Sequence, residues 1–98
     1  MASKYGWIIT KDHLVETGYS GPSEVGVTGP RGCEFTEEEL NKGQLFRMYD
    51  DDDILYYTGR IVGERDGCEP LFDFGMPNAG CTRLDLRMPD GTWEHTCS

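Results

Sequence analysis

The sequence lacks any long apolar segment. No hydrophobic run approaches the ~20 residues that a membrane-spanning helix needs, and no apolar stretch typical of a signal peptide follows Met1. We therefore expect a soluble, cytoplasmic protein that makes no contact with a membrane.

Positive charge is also scarce. Nine Lys and Arg residues stand against 18 Asp and Glu, which gives a net charge of −9 on 98 residues. A field of that sign attracts basic partners and repels nucleic acid. Direct nucleic-acid binding depends on Lys and Arg displacing counterions from phosphates, so we predict a basic protein surface as the partner instead.

Motifs for catalysis and cofactors are missing as well. The only histidines are His13 and His95, and their spacing from the cysteines indicates no Cys/His nucleophile. Residues 26–32 are glycine-rich but lack the G-K-[ST] ending of a phosphate loop. We predict no cofactor and no metal, and we expect the protein not to be an enzyme.

The cysteines form no CxxC pair that would indicate a zinc site; they are Cys33, Cys68, Cys81 and Cys97. An even number permits disulfides in three pairings. Because disulfides are rare in the reducing cytosol, we predict buried or incidental free thiols.

The residues that are present favour short strands and turns. Thirteen glycines and five prolines separate short β-branched, aromatic and alternating segments. The predicted strands are residues 5–10, 24–28, 45–49, 54–62, 82–88 and 92–95, of which 45–49 pairs with 54–62 and 82–88 pairs with 92–95 as two hairpins. They predict a single domain over residues 1–98 of the α+β class, rich in β-structure. Its strands would form a five- to six-stranded antiparallel sheet or a small partly open barrel, with one short helix.

The short helix is predicted over residues 36–43. Thr36 and Glu39 have the spacing of a capping box, and Gly43 suits the residue after the helix. Residues 70–80 contain too many Gly and Pro for a second helix and are predicted as an apolar loop. Within it, Asp73 is expected to bind loop amides, with an active-site role as the alternative.

Four consecutive aspartates connect two predicted strands: Asp50, Asp51, Asp52 and Asp53. A solvated turn is one interpretation. A calcium loop fails on spacing, because its positions 6 and 12 would be Leu55 and Ile61, although other divalent sites stay open. The third interpretation is an acidic patch that binds Lys and Arg side chains of a partner protein, with tyrosines as anchor residues of the interface. Its predicted residues are the four aspartates, Tyr49, Tyr56, Tyr57, Glu37 and Glu38.

Three stretches, residues 4–13, 47–52 and 73–82, together resemble a group of small, uncharacterised bacterial proteins carried on phages and plasmids. That group brings no established catalytic residues. In size and acidity the chain is similar to anti-CRISPR proteins, many of which occupy the positively charged nucleic-acid channels of CRISPR effector complexes. The resemblance implies an inhibitor that blocks target-DNA binding through an acidic surface.

Two alternatives follow from the residues. One is an acidic interaction module of a mobile element that binds another basic partner. The other is a small metal-dependent or hydrolytic enzyme that uses Asp73, His13 or the cysteines.

Overall fold

Six antiparallel strands form one open sheet in the computed structural model, which describes residues 5–16, 23–30, 34–63 and 68–97. The sheet order is β2-β1-β4-β3-β5-β6. The strands are β1 Tyr5–Asp12, β2 Thr28–Gly29, β3 Gln44–Tyr49, β4 Leu55–Gly63, β5 Arg83–Arg87 and β6 Trp93–Cys97. The predicted β-rich α+β class is confirmed, and the sheet is not closed into a barrel.

Both predicted hairpins are present, since β3 pairs with β4 and β5 pairs with β6. The pairings between distant segments could not be predicted from local patterns. β1 lies beside β4, with Trp7 opposite Ile61, and β3 lies beside β5, with Phe46 opposite Leu86. Of the strand predicted over residues 24–28, only Thr28 lies in a strand, the two-residue edge strand β2, and residues 25–26 form a turn.

One face of the sheet carries the main core, and we call it the core face. Alternation along each strand places large apolar side chains there. They are Trp7, Ile9, Phe46, Met48, Tyr57, Ile61, Leu84 and Leu86. We call the opposite side the outer face. The alternation predicted for β5, with Leu84 and Leu86 on one side and Arg83, Asp85 and Arg87 on the other, agrees with their burial.

A helical stretch covers the core face, where a loop was predicted. A π-helical turn, Leu71–Gly75, continues into a helix, Met76–Ala79, and we call residues 71–79 the covering segment. The prediction was wrong because Leu71 and Phe74 pack into the core, and tertiary packing supplies most helix stability. Pro77 lies near the start of the second helix, where its missing N–H is tolerated.

Two further short helices are α1, His13–Glu16, and α2, Glu37–Leu40. The predicted capping box of α2 is confirmed: the Glu39 amide donates to Thr36 Oγ1 at 3.2 Å, and the Thr36 amide donates to Glu39 Oε1 at 2.9 Å. α2 packs against β1 and β4. Leu40 and Ile8 are both buried outside the main core cluster.

Two glycines are required by close approach of neighbouring chain. A Cβ at Gly43 would lie 2.4 Å from the Ile61 carbonyl oxygen, so contact with β4, rather than a left-handed helix end, explains this glycine. A Cβ at Gly59 would lie 2.3 Å from the Ile8 carbonyl oxygen. The backbone of β1 therefore leaves no room for a side chain at Gly59.

The cysteines differ from the prediction of free thiols. Cys68 is disulfide-bonded, whereas Cys81 is a buried free thiol. Cys33 and the side chain of Cys97 lie outside the described residues. The prediction is confirmed for Cys81 and wrong for Cys68, because it rested on an expected compartment, while pairing is decided by three-dimensional distance.

Among the residues that the structure describes, no helix is both long enough and apolar enough to cross a membrane.

Candidate functional site

The β3–β4 turn, which we call the acidic tip (residues 50–53), is organised by the carboxylate of Asp50. Its Oδ1 accepts hydrogen bonds from the amides of Asp52 and Ile54, both at 2.9 Å. These bonds, led by the one from Ile54, hold the pKa of Asp50 below its ordinary value. Only 8% of Asp50 is exposed. Asp50 therefore shapes the turn instead of presenting charge to a partner.

The other three aspartates of the tip are exposed. Asp53 adopts a left-handed backbone with φ of 62° and pairs with the Arg83 guanidinium. Asp51 and Asp52 have no ion pair among the described residues. The charge available to a partner is thus concentrated on these two neighbouring carboxylates.

The predicted tyrosine anchors have three different environments. Tyr57 is 1% exposed and belongs to the core, so it cannot contact a partner. Tyr56 donates its hydroxyl to Asp50, and this bond is the main cause that raises the pKa of Tyr56. The guanidinium carbon of Arg83 stacks over the ring of Tyr49, 4.1 Å from the ring centroid. Tyr49 and Tyr56, both half-buried, remain as candidates beside the tip.

The second acidic run lies away from the first. Glu37 and Glu38 are exposed in the first turn of α2, where they suit the helix dipole. α2 precedes the start of β3, whereas the acidic tip follows its end. A strand of that length extends over roughly 17 Å. The two runs therefore form separate patches and not one continuous field.

Three carboxylates at the acidic tip lie close enough together to coordinate one divalent cation. Oxygens of Asp50, Asp51 and Asp52 lie within 4.8 Å of one another. However, the Asp50 carboxylate already accepts two amide hydrogen bonds at Oδ1 and a further one from the Tyr56 hydroxyl. Exposed acidic clusters of this kind are common without a metal.

A groove on the core side surrounds Asp73. It measures about 330 Å³ and is lined by Trp7, Val27, Thr28, Gly29, Pro30, Asp73 and Phe74. Asp73 Oδ2 accepts from the Tyr5 hydroxyl at 2.8 Å and from the Trp7 indole N–H at 3.0 Å. Burial, followed by the bond to Asp73, raises the pKa of Tyr5 to about 12.

These partners of Asp73 differ from the predicted loop amides. The carboxylate joins the covering segment to β1 across 68 residues of sequence. Since no local pattern links Tyr5 or Trp7 to Asp73, only the packing of this segment on the sheet could reveal the site.

The remaining candidates for acid–base or nucleophilic chemistry have structural roles. His13 Nε2 lies 2.9 Å from Thr58 Oγ1. The buried carboxylate of Asp12 accepts from the amides of Leu14 and Glu24. Burial raises the pKa of the Cys81 thiol to about 12, which leaves it a poor nucleophile.

Comparison with known proteins gives no relative from which a function could be carried over: no family model, curated protein or solved structure matches this chain.

Proposed function

We propose that this protein is a non-enzymatic inhibitor that docks its acidic tip into a basic groove of a nucleic-acid-binding protein. In its most concrete form it is an anti-CRISPR protein, encoded on a phage or plasmid, that blocks target-DNA binding by an effector complex in the host cytoplasm. The observation that carries the proposal is the pair of exposed, unpaired carboxylates of Asp51 and Asp52 on a turn fixed by Asp50.

Preorganisation is the physical reason why this tip suits a partner. The two hydrogen bonds to Asp50 fix the turn before binding, so less conformational entropy is lost on docking. The net charge of −9 adds long-range attraction toward a Lys- and Arg-lined channel. Because CRISPR effectors hold their guide–target duplex in a positively charged channel, a negative tip competes with the DNA for that surface.

The disulfide at Cys68 is the observation that fits a cytoplasmic site of action least well, because the cytosol keeps thiols reduced. Inhibition should therefore be measured both with and without reductant. Activity in reductant supports action in the cytoplasm, whereas activity only in the oxidised form argues for another compartment.

The decisive experiment measures target-DNA binding by purified CRISPR effectors in the presence of this protein. The double variant Asp51→Asn with Asp52→Asn should weaken inhibition by roughly 2- to 30-fold, the range expected for losing two exposed ion pairs. The matched control is Glu37→Gln with Glu38→Gln, which removes the same charge from α2 and should have a smaller effect.

Two results would contradict the proposal. If both double variants weaken inhibition equally, inhibition depends on the net charge of the protein and the acidic tip is not the docking site. If the wild-type protein leaves DNA binding by every tested effector unchanged, the anti-CRISPR assignment is wrong.

A second candidate, an interaction module with another basic partner, is favoured by the Asp73 groove. The exposed carboxylate of Asp73 in this groove suits an ion pair with a Lys or Arg side chain of a partner. Asp73→Asn should then weaken capture of a basic partner from host lysate, while the double variant at Asp51 and Asp52 should not.

A further inference from the structure

The outer face carries a cluster of arginine side chains. All four arginines that the structure describes lie there: Arg47, Arg60, Arg83 and Arg87. The register places them there, because each alternates with a residue of the core face. The described arginines are therefore concentrated on this one face, which they share with Asp85.

Three of these arginines have no carboxylate partner among the described residues. Arg83 pairs with Asp53 and with Asp85, but Arg47, Arg60 and Arg87 form no ion pair. Arg47 lies opposite Asp85 in the strand register, whereas no carboxylate lies opposite Arg60 in the register of β3, so Arg60 and Arg87 form the positive site of this face.

The three arginines are held in place by other contacts. The guanidinium carbons of Arg47 and Arg87 lie 4.2 Å and 5.4 Å from the ring centroid of Trp93. Nε of Arg47 is buried without a hydrogen-bond partner. Arg60 Nη1 donates to the Gly43 carbonyl at 2.9 Å. The guanidinium groups are thus partly immobilised before any ligand arrives.

A groove of about 370 Å³ opens between two of them. Its lining residues are Gly43, Gln44, Leu45, Arg60, Arg87, Met88 and Pro89, so its only charged side chains are the two arginines. Arg60 on β4 lies opposite Leu45 on β3, and Arg87 belongs to β5, the next strand. The two backbones are roughly 10 Å apart, which lets two long side chains converge on one anion.

We propose that this groove binds a small organic anion. Its phosphate or carboxylate group would lie between Arg60 and Arg87, since the guanidinium fork matches both oxyanions. Its apolar part would rest on Leu45 and Met88. A groove of this volume falls within the usual size of small-molecule sites. The site is separate from the acidic tip and does not depend on the proposed inhibitory function.

A long polyanion fits this surface less well than a small ligand. The arginines without an ion pair occupy a limited part of a chain whose net charge is −9, and a nucleic-acid strand leaving the groove would meet acidic residues such as Asp85 and Asp90. A ligand with one or two charges stays within the positive region.

The test is an amide-resolved NMR titration of the intact protein with three probes: inorganic phosphate, phenyl phosphate and benzoate. At millimolar concentrations we expect saturable shifts at residues 43–45, 60 and 87–88, with phenyl phosphate or benzoate stronger than inorganic phosphate. Whichever of the two aromatic probes binds more tightly identifies the oxyanion.

Matched variants distinguish binding in the groove from a general electrostatic attraction of anions by the positive charges of the protein. Arg87→Gln should weaken binding about tenfold or more, as expected for a charge-assisted hydrogen bond, and Arg87→Lys should restore part of it. Lys11→Gln removes the same charge from an exposed residue outside the groove and should change the affinity less than about twofold.

The proposal is overturned if no probe gives saturable shifts in the groove, or if Arg87→Gln and Lys11→Gln weaken binding equally. Tighter binding of a single-stranded oligonucleotide than of either aromatic probe would also overturn it, because the ligand would then be a polyanion.

Discussion

Phe74 is the residue on which the attachment of the covering segment can best be tested. Its ring lies 5.0 Å from that of Tyr57 and 5.5 Å from that of Trp7, and its side chain is 7% exposed. Phe74→Ala should cost about 3–5 kcal/mol, because it removes apolar contact area and leaves a cavity between the segment and the sheet. For a domain of this size each kcal/mol lowers Tm by about 4–8 °C, so the lower limit already predicts a fall of ~12–24 °C.

The same segment supplies a matched control. Phe72 lies two residues earlier and is 58% exposed. Phe72→Ala removes the same atoms from a solvent-facing position, so it should change stability by no more than about 0.5 kcal/mol.

The assay is urea unfolding at 25 °C of the wild type and both variants, followed by circular dichroism. Retention of the wild-type m-value would show that each variant still unfolds as one cooperative unit. Similar losses for Phe72→Ala and Phe74→Ala would refute the helical register, as would a larger loss for Phe72→Ala. A loop at residues 70–80, as the sequence predicted, would not distinguish the two positions so sharply.

Three further predictions concern single residues. Gly59→Ala should destabilise the fold by about 2 kcal/mol or more in the same urea assay, because its Cβ would meet the Ile8 carbonyl oxygen at 2.3 Å; an unchanged midpoint would contradict this close approach. The pKa of Tyr5 is raised from 10.0 to about 12, so its neutral form contributes stability that is fully present below pH 10 and is lost as pH rises to 12. Tyr5→Phe, which cannot ionise, should remove that part of the pH dependence, and an unchanged alkaline profile would contradict it. Cys81, with its pKa raised to about 12, should resist iodoacetamide in the folded protein at pH 8 and react in urea; labelling in the native state, read by mass spectrometry, would count against its burial.

The candidate site could be predicted only in part. The four aspartates are visible in the sequence, and their place between two strands is confirmed. Their unequal roles are not visible, because Asp50 turns its carboxylate onto the amides of its own turn while Asp51 and Asp52 face solvent. Tyr57 was predicted as an anchor and is buried instead, since alternation alone does not say which face of a strand packs on the core.

Both grooves depend on residues that are distant in the chain. Asp73 meets Tyr5 and Trp7 only because the covering segment packs across β1. Arg60 and Arg87 line one groove because β3 lies between β4 and β5. The sequence shows the alternation that places Arg87 opposite the core, but it does not show which strands are neighbours.

The sequence by itself determined the features that depend on residues close together in the chain. The β-rich class, both hairpins and the capping box of α2 follow from alternation, turn residues and a Thr–Glu spacing, all of which act within a few residues. Tertiary structure alone decided the strand order, the helical state of residues 71–79 and the disulfide at Cys68. It also divided an acidic chain into a negative tip and an arginine-lined outer face. Those properties depend on which distant surfaces exclude water from one another, and that is settled only when the whole sheet assembles.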